Sequence, residues 1–244
     1  MLRRTLAASL LVLALVPAAG ADSLLTFKSH TDSFQVAGET QPAKDTEVRI
    51  WVAADRLRRD DGETSTILRL DRNKLYVVNH PEKTYSELTL PVDFVRLMPK
   101  GQEQVGALWA QQMKLAVKVT PAGETRKVNA WNARRVQMEI TNATGMKIAS
   151  TLWVSSEIAA WRDLNRLAAT LAALQPGAAD WARELEKIEG FPVLREDSVD
   201  AMGARFKTRE ELVSAETKDA PAGLYDPPAG YTAKPFNPLE GIGG

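Results

Sequence analysis

The sequence predicts an α+β fold in which a curved antiparallel sheet is covered by two or three helices, as a single domain. Three observations predict it. Short segments of alternating apolar and polar residues recur about every ten residues through the first two-thirds of the chain, with turn residues between them. Apolar residues at three- and four-residue spacing appear only later. Strands with one apolar face need a cover, and amphipathic helices can supply it.

Residues 1–21 stand outside this domain. Arg3 and Arg4 precede an apolar stretch of about a dozen residues, which ends in Ala19-Gly20-Ala21. That order predicts a secretory signal peptide cleaved between Ala21 and Asp22. The apolar core is too short for a spanning helix, which needs roughly 20 residues. Without cysteine there is no site for an N-terminal lipid anchor. The expected product is periplasmic or secreted, with no transmembrane segment in the mature chain.

The strands follow in order. In Glu47–Ala54, Val48, Ile50 and Val52 share one face. Asp60-Asp61-Gly62 turns the chain, and Thr64–Leu70 brings Leu68 and Leu70 to a common side. Asp71-Arg72-Asn73 leads into Lys74–Asn79, and His80–Lys83 into Thr84–Leu90. Pro91–Met98 reads as a short helix before a crossover. Beyond it Met113, Leu115, Val117 and Val119 alternate with polar residues, and Pro121–Glu124 is the expected turn. Val136, Met138 and Ile140 alternate next, then Ile148, Leu152 and Val154. One apolar and one polar face on each strand predicts a sheet with one side wet.

Helical spacing begins at Ile158 and continues through Trp161, Leu164, Leu167, Leu171 and Leu174, predicting about 18 residues of helix closed by Pro176-Gly177. A second helix is expected over Ala179–Glu189, ended by Gly190. Phe191–Asp197 and Ala204–Ser214 read as the last strands. From Asp219 the chain is rich in Pro and Gly, a tail that wraps as extended chain or trails off. The domain boundaries are therefore 22–218, with 219–244 as tail.

Composition excludes several functions. With Arg3 and Arg4 removed, 29 basic residues face 31 acidic ones, so no basic footprint for nucleic acid exists. The absence of cysteine excludes thiol catalysis, disulfides and Cys-ligated metals. His30 and His80 lack companions at metal-ligand spacing, and His80 is expected to be a solvated turn residue. No nucleophile elbow, phosphate loop or zinc helix occurs. The chain is expected not to be an enzyme and to use no cofactor.

Two features remain as candidate sites. The apolar strand faces just named either form a filled core or line a cavity for a lipid or acyl chain. Arg56, Arg58, Arg59 and Arg69, with Asp60, Asp61 and Asp71, form either a cross-strand ion-pair ladder or a basic rim. A rim of Arg56, Arg58 and Arg69 could hold an anionic headgroup by bidentate contacts. Trp51, Trp109, Trp131 and Trp153 fall in or beside strands, as core or as an aromatic surface for an envelope partner.

Glu47–Gly62, Thr66–Leu88 and Phe191–Phe236 resemble a family of secreted bacterial proteins of unknown function. The shared pattern is carried by Trp51, Asp55, Arg56, Arg58, Arg69, Asp71, Lys74, Tyr76, Asn79, Lys83, Thr84 and Tyr85. That family is similar in strand pattern to periplasmic lipoprotein carriers of the LolA/LolB type. The resemblance implies an unclosed β-barrel with a helical lid over a hydrophobic cavity, and a lipid, acyl chain or lipidated protein as cargo. The alternative is an envelope structural or interaction protein with a filled core.

Overall fold

The computed structural model describes residues 22–36, 38–92, 101, 103–112, 114–172, 178–201 and 203–236. The predicted leader with Ala21, most of the Pro91–Met98 helix, Met113, Leu174 and Pro176-Gly177 lie outside the described residues.

Twelve strands form one unclosed sheet. Its first half comprises β1 (Ser23–Thr31), β4 (Lys44–Val52), β5 (Arg56–Asp60), β6 (Thr64–Arg69), β7 (Lys74–Asn79) and β8 (Thr84–Thr89). The second comprises β9 (Leu115–Val128), β10 (Trp131–Asn142), β11 (Lys147–Ser155), β12 (Phe191–Ala201) and β13 (Ala204–Thr217). The spatial order is β14-β8-β7-β6-β5-β4-β1-β13-β12-β11-β10-β9, with β14 (Thr232–Ala233) at one edge. Neighbours are antiparallel except β14, which runs parallel to β8. β2 (Phe34–Val36) and β3 (Glu39–Gln41) make a separate small hairpin, held to β13 by stacking of Phe34 on Phe206 at 4.3 Å.

The pairing of β1 with β13 joins the two halves. One meander runs outward from β1 through β4 to β8, and the other from β13 back to β9. Each hairpin turn is fixed by local chemistry. Gly62 takes φ +89°, and the Asp60 and Asp61 carboxylates accept from the amides of Gly62, Glu63 and Thr64. Asn73 at φ 52° closes the single 3-10 turn, Leu70–Arg72, between β6 and β7.

The helices are short: α1 (Glu103–Gln112), α2 (Trp161–Ala172) and α3 (Ala178–Leu185). The protein is therefore more sheet-rich than a sheet simply covered by helices. None of the described helices is long and apolar enough to cross a membrane.

Three expectations change. Pro121–Glu124 is not a turn; β9 continues through it as a bulge, and the chain reverses at Asn129-Ala130. Proline is tolerated there because β9 is an edge strand, so a missing amide costs no ladder bond. Trp109 lies in α1, not in or beside a strand. The sheet has no wholly wet side over β4–β8. Ala220–Tyr231 crosses that side as a strap, turned by the bonds Leu224 N–H to Pro221 O, Asp226 N–H to Gly223 O and Tyr231 N–H to Pro228 O.

Between α3 and β12 the chain passes through Gly190 at φ +119°. A Cβ there would lie 2.7 Å from the Ser155 carbonyl oxygen and 2.9 Å from Val154 Cγ1. Both the backbone conformation and the contact oppose any side chain. Gly190→Ala is expected to cost about 2 kcal/mol or more, read as a lowered urea midpoint at unchanged slope.

Candidate functional site

Strand alternation divides β4–β8 into two faces. Cross-strand partners place Val52, Leu57, Leu68, Leu75 and Leu88 on one of them, with Val48 and Ile50 in the same parity. Trp51, Arg58, Ile67 and Tyr76 fall in line on the other.

The first face is covered by a helix. Ile158, Leu164 and Leu167, from α2 and the turn before it, join Leu25, Phe27, Val48, Val52, Leu68 and Leu212 in the largest buried cluster. Half-buried Ile50, Leu70, Leu90, Trp131, Trp161 and Phe191 surround it. Polar bonds fix the helix at its margin: Arg166 donates to the Ala54 carbonyl and Asn165 to that of Gly190. Of the predicted apolar lining, Val48, Ile50, Val52, Leu68 and Leu70 meet here. Val117, Val119, Val136, Met138, Ile140 and Leu152 form a separate cluster beneath Leu185 and Ile188. Leu115 is half-buried and belongs to neither cluster. The structure thus divides the predicted face into two patches.

The two patches lie on one side of the sheet, since the pairs Thr46/Ser29, Ser29/Glu210, Glu210/Arg195, Arg195/Leu152 and Leu152/Val136 keep one parity across it. They are separate because different segments cover them, α2 and the turn before it over one and Leu185 and Ile188 over the other.

On the second face a polar network lies between apolar residues. Leu24, Trp51, Ile67, Tyr76 and Val78 are buried there with Tyr225 of the strap, and Leu224 and Tyr231 pack around them. Two arginines hold the strap. Arg58 donates to the Leu224 carbonyl at 3.0 Å and to Asp60 at 2.8 Å. Arg69, its side chain only 5 % exposed, pairs through Nε and Nη2 with Asp71 at 2.8 and 2.7 Å. Its Nη1 donates to Asp226 at 2.9 Å and to the Tyr225 carbonyl at 3.2 Å. Arg58 and Arg69 are thus spent on the strap and on carboxylates. Arg56 stands directly across from Arg69, while Arg58 and Arg59 oppose Ile67 and Thr66. The expected ladder of Arg58 or Arg59 against Arg69 or Asp71 is not formed, because β5 and β6 pair one turn position differently.

His80 is not a solvated turn residue. Its side chain is 20 % exposed, with Nε2 2.7 Å from Ser65 Oγ and Nδ1 2.9 Å from the Tyr231 hydroxyl. Ser65 is 1 % exposed and also contacts Asp60 Oδ2 and Arg58 Nη2, both at 3.0 Å. A carboxylate only accepts, so the Ser65 proton points at Asp60. His80 Nε2 then carries its proton toward Ser65, and Nδ1 accepts from Tyr231. The hydroxyl donates to Asp60 rather than to the imidazole and is buried. This is a latch for the strap, made of residues that resemble a hydrolase dyad in type alone. Sequence spacing did not bring His80 and Tyr231 together, which lie 151 residues apart.

Electrostatics follows from these contacts. Burial opposes ionisation of Asp60, but hydrogen bonds from Arg58, the Gly62 amide and Ser65 outweigh it and hold the carboxyl below its ordinary value. The Arg69 hydrogen bonds hold Asp71 low against a smaller desolvation penalty. Burial pushes the Tyr225 phenol well up, and the Asp22 charge adds to it. Among the described residues no group of three or more His, Cys, Asp or Glu could hold a metal ion.

Two outcomes are expected. Arg69→Met removes one partner of a buried pair, which costs 3–5 kcal/mol when both partners are buried. Asp71 and Asp226 are 28 % and 41 % exposed and can hydrate, so a loss of about 2 kcal/mol is expected, measured by urea unfolding. Depressed carboxyl pKa values stabilise the fold above the unfolded-state value and lose that contribution as pH falls through the folded one. The strap should therefore hold at neutral pH and loosen below about 3.8, the ordinary Asp value. The check is a fluorescence change on acidification that disappears in Trp51→Phe.

The crystal structure of a domain named for outer membrane lipoprotein sorting, from Vibrio parahaemolyticus, aligns over 84 % of this chain and 89 % of its own at 8 % identity and a TM-score of 0.32. No curated protein matches the chain. A family model described as a domain of unknown function, DUF4412, matches residues 44–231, from the first residue of β4 to the Tyr231 latch. That match covers about three-quarters of the sequence, and the chain belongs to the DUF4412 family.

Proposed function

We propose that the protein is a non-catalytic binding or carrier protein of the bacterial envelope, exported by its leader. Its cargo is a lipid, an acyl chain or a lipidated protein, received on the helix-covered face of the sheet. The observation that carries this reading is the collar of half-buried Ile50, Leu70, Leu90, Trp131, Trp161 and Phe191 around one buried cluster. Aromatic and aliphatic side chains left part-covered beside an amphipathic helix suit an apolar ligand, since burying the exposed part of each gains on the order of 1 kcal/mol. α2 is tied by polar bonds at its margin, so a modest displacement would lengthen the apolar surface without unfolding the sheet.

A second reading has its own observation. Leu167 of α2 is fully buried, as are Leu68, Val193 and Leu212 of the sheet in the same cluster, which favours an envelope interaction protein with a filled core. The two readings separate on one experiment. Native mass spectrometry of protein purified from cells is expected to carry bound apolar mass. Dansylaminoundecanoic acid is expected to brighten on addition, and Leu70→Arg, at the collar, to abolish that response while leaving the circular dichroism spectrum unchanged. No bound mass and no response in the wild type would overturn the carrier reading.

A further inference from the structure

The strap-covered face holds a cavity of about 260 Å³ between the strap and the ends of β5 and β6. Arg56, Arg69 and Arg72 border it, with Asp22, Tyr225 and Asp226. The three guanidiniums differ in how fully they are used. Arg69 is saturated by Asp71, Asp226 and the Tyr225 carbonyl. Arg72 gives one nitrogen to Asp226 at 2.8 Å and is otherwise half exposed.

Arg56 is different. Its Nε is buried and has no hydrogen-bond partner. The nearest carboxylate, Asp55, is 3.5 Å away, and the guanidinium carbon lies 5.2 Å from the centre of the Tyr225 ring. Arg56 also stands directly across the ladder from Arg69, where like charges repel. A buried donor without a partner needs a water, an ion or a ligand. Here it lies on the wall of a cavity that two more arginines and the Tyr225 ring border.

We propose that this cavity binds an oxyanion of phosphate type, gripped by Arg56 and Arg72 and closed by the strap. Asp71 and Asp226 neutralise Arg69; Arg56, paired only at 3.5 Å with half-exposed Asp55, and the outer half of Arg72 remain for the ligand. A guanidinium fork meets two phosphate oxygens with parallel N–H bonds, which a water cannot do. A free phosphate and a lipid phosphate headgroup share this chemistry. The site lies on the opposite side of the sheet from the proposed apolar face, so either proposal can fail alone.

The test uses the full mature chain at low ionic strength. Inorganic phosphate is expected to raise the thermal midpoint by several degrees over chloride at equal ionic strength. Arg56→Gln is expected to remove that shift, Arg56→Lys to restore part of it, and Arg49→Gln, which lines a different groove, to leave it intact. Flotation with phosphatidylglycerol vesicles, set against phosphatidylcholine vesicles, separates the two sources. Binding lost in Arg56→Gln assigns a headgroup, and a phosphate shift without flotation assigns a free anion. No phosphate shift and no flotation in the wild type, or a response that Arg56→Gln leaves unchanged, would overturn the proposal. Arg72→Gln, whose side chain is half exposed, repeats the test should Arg56→Gln fail to fold.

Discussion

The pairing of buried Arg69 with Asp71, Asp226 and the Tyr225 carbonyl is the interaction on which the strap-covered face depends. A guanidinium taken out of water must have its donors satisfied. Asp71 follows two residues later on the 3-10 turn and supplies half of the partners wherever the strap is. Asp226 and the Tyr225 carbonyl supply the rest and come from the strap. Arg58, on the neighbouring strand, binds the Leu224 carbonyl. Two adjacent strands therefore grip two consecutive strap carbonyls, which fixes the register of a segment that has no ladder of its own until Thr232.

That grip explains how a sheet can be apolar on both faces. Trp51, Ile67, Tyr76 and Val78 would be an aggregation surface if they were bare. A helix could not cover them, because Pro221, Pro227 and Pro228 break helical hydrogen bonding. The same prolines restrict the unfolded strap, so ordering it loses less entropy than ordering a flexible chain. The sheet edges are protected by related means. β14 pairs with the start of β8, and at the far edge Glu184 accepts the Val119 amide while Pro121 offers no donor.

Much of this was legible in the sequence. The strands at β4, β6, β7, β8, β10 and β11 announced themselves by alternation, since each has one face in a core and period two survives. β5 did not, because Arg56-Leu57-Arg58-Arg59-Asp60 has one apolar residue and owes its place to its neighbours. β1 was hidden by its position directly after the leader. The division of the apolar residues into two clusters was illegible for another reason. It follows from which helical residues cover each part of one wide sheet face, a tertiary choice that leaves no period in the strands. The arginines were noticed as a group, but not their partners in the strap, more than 150 residues away.

The distribution of polar chemistry also bears on what the protein does. Ser65, His80 and Asp60 are the residue types of a hydrolase, yet their hydrogen-bond directions are those of a support. Asp60 takes the serine proton, and the imidazole serves Tyr231. A nucleophile needs its proton directed at a base and its oxygen open to a substrate. Ser65 fails the second condition, since its Oγ is buried beneath the strap and accepts from Arg58 as well. Reversing the imidazole tautomer would leave the hydroxyl oxygen facing the Asp60 carboxylate with no proton between them. These hydrogen-bond directions tie β6 and His80 to the strap and act as a latch. The helix-covered face offers an apolar collar, a setting that suits binding more than bond-breaking.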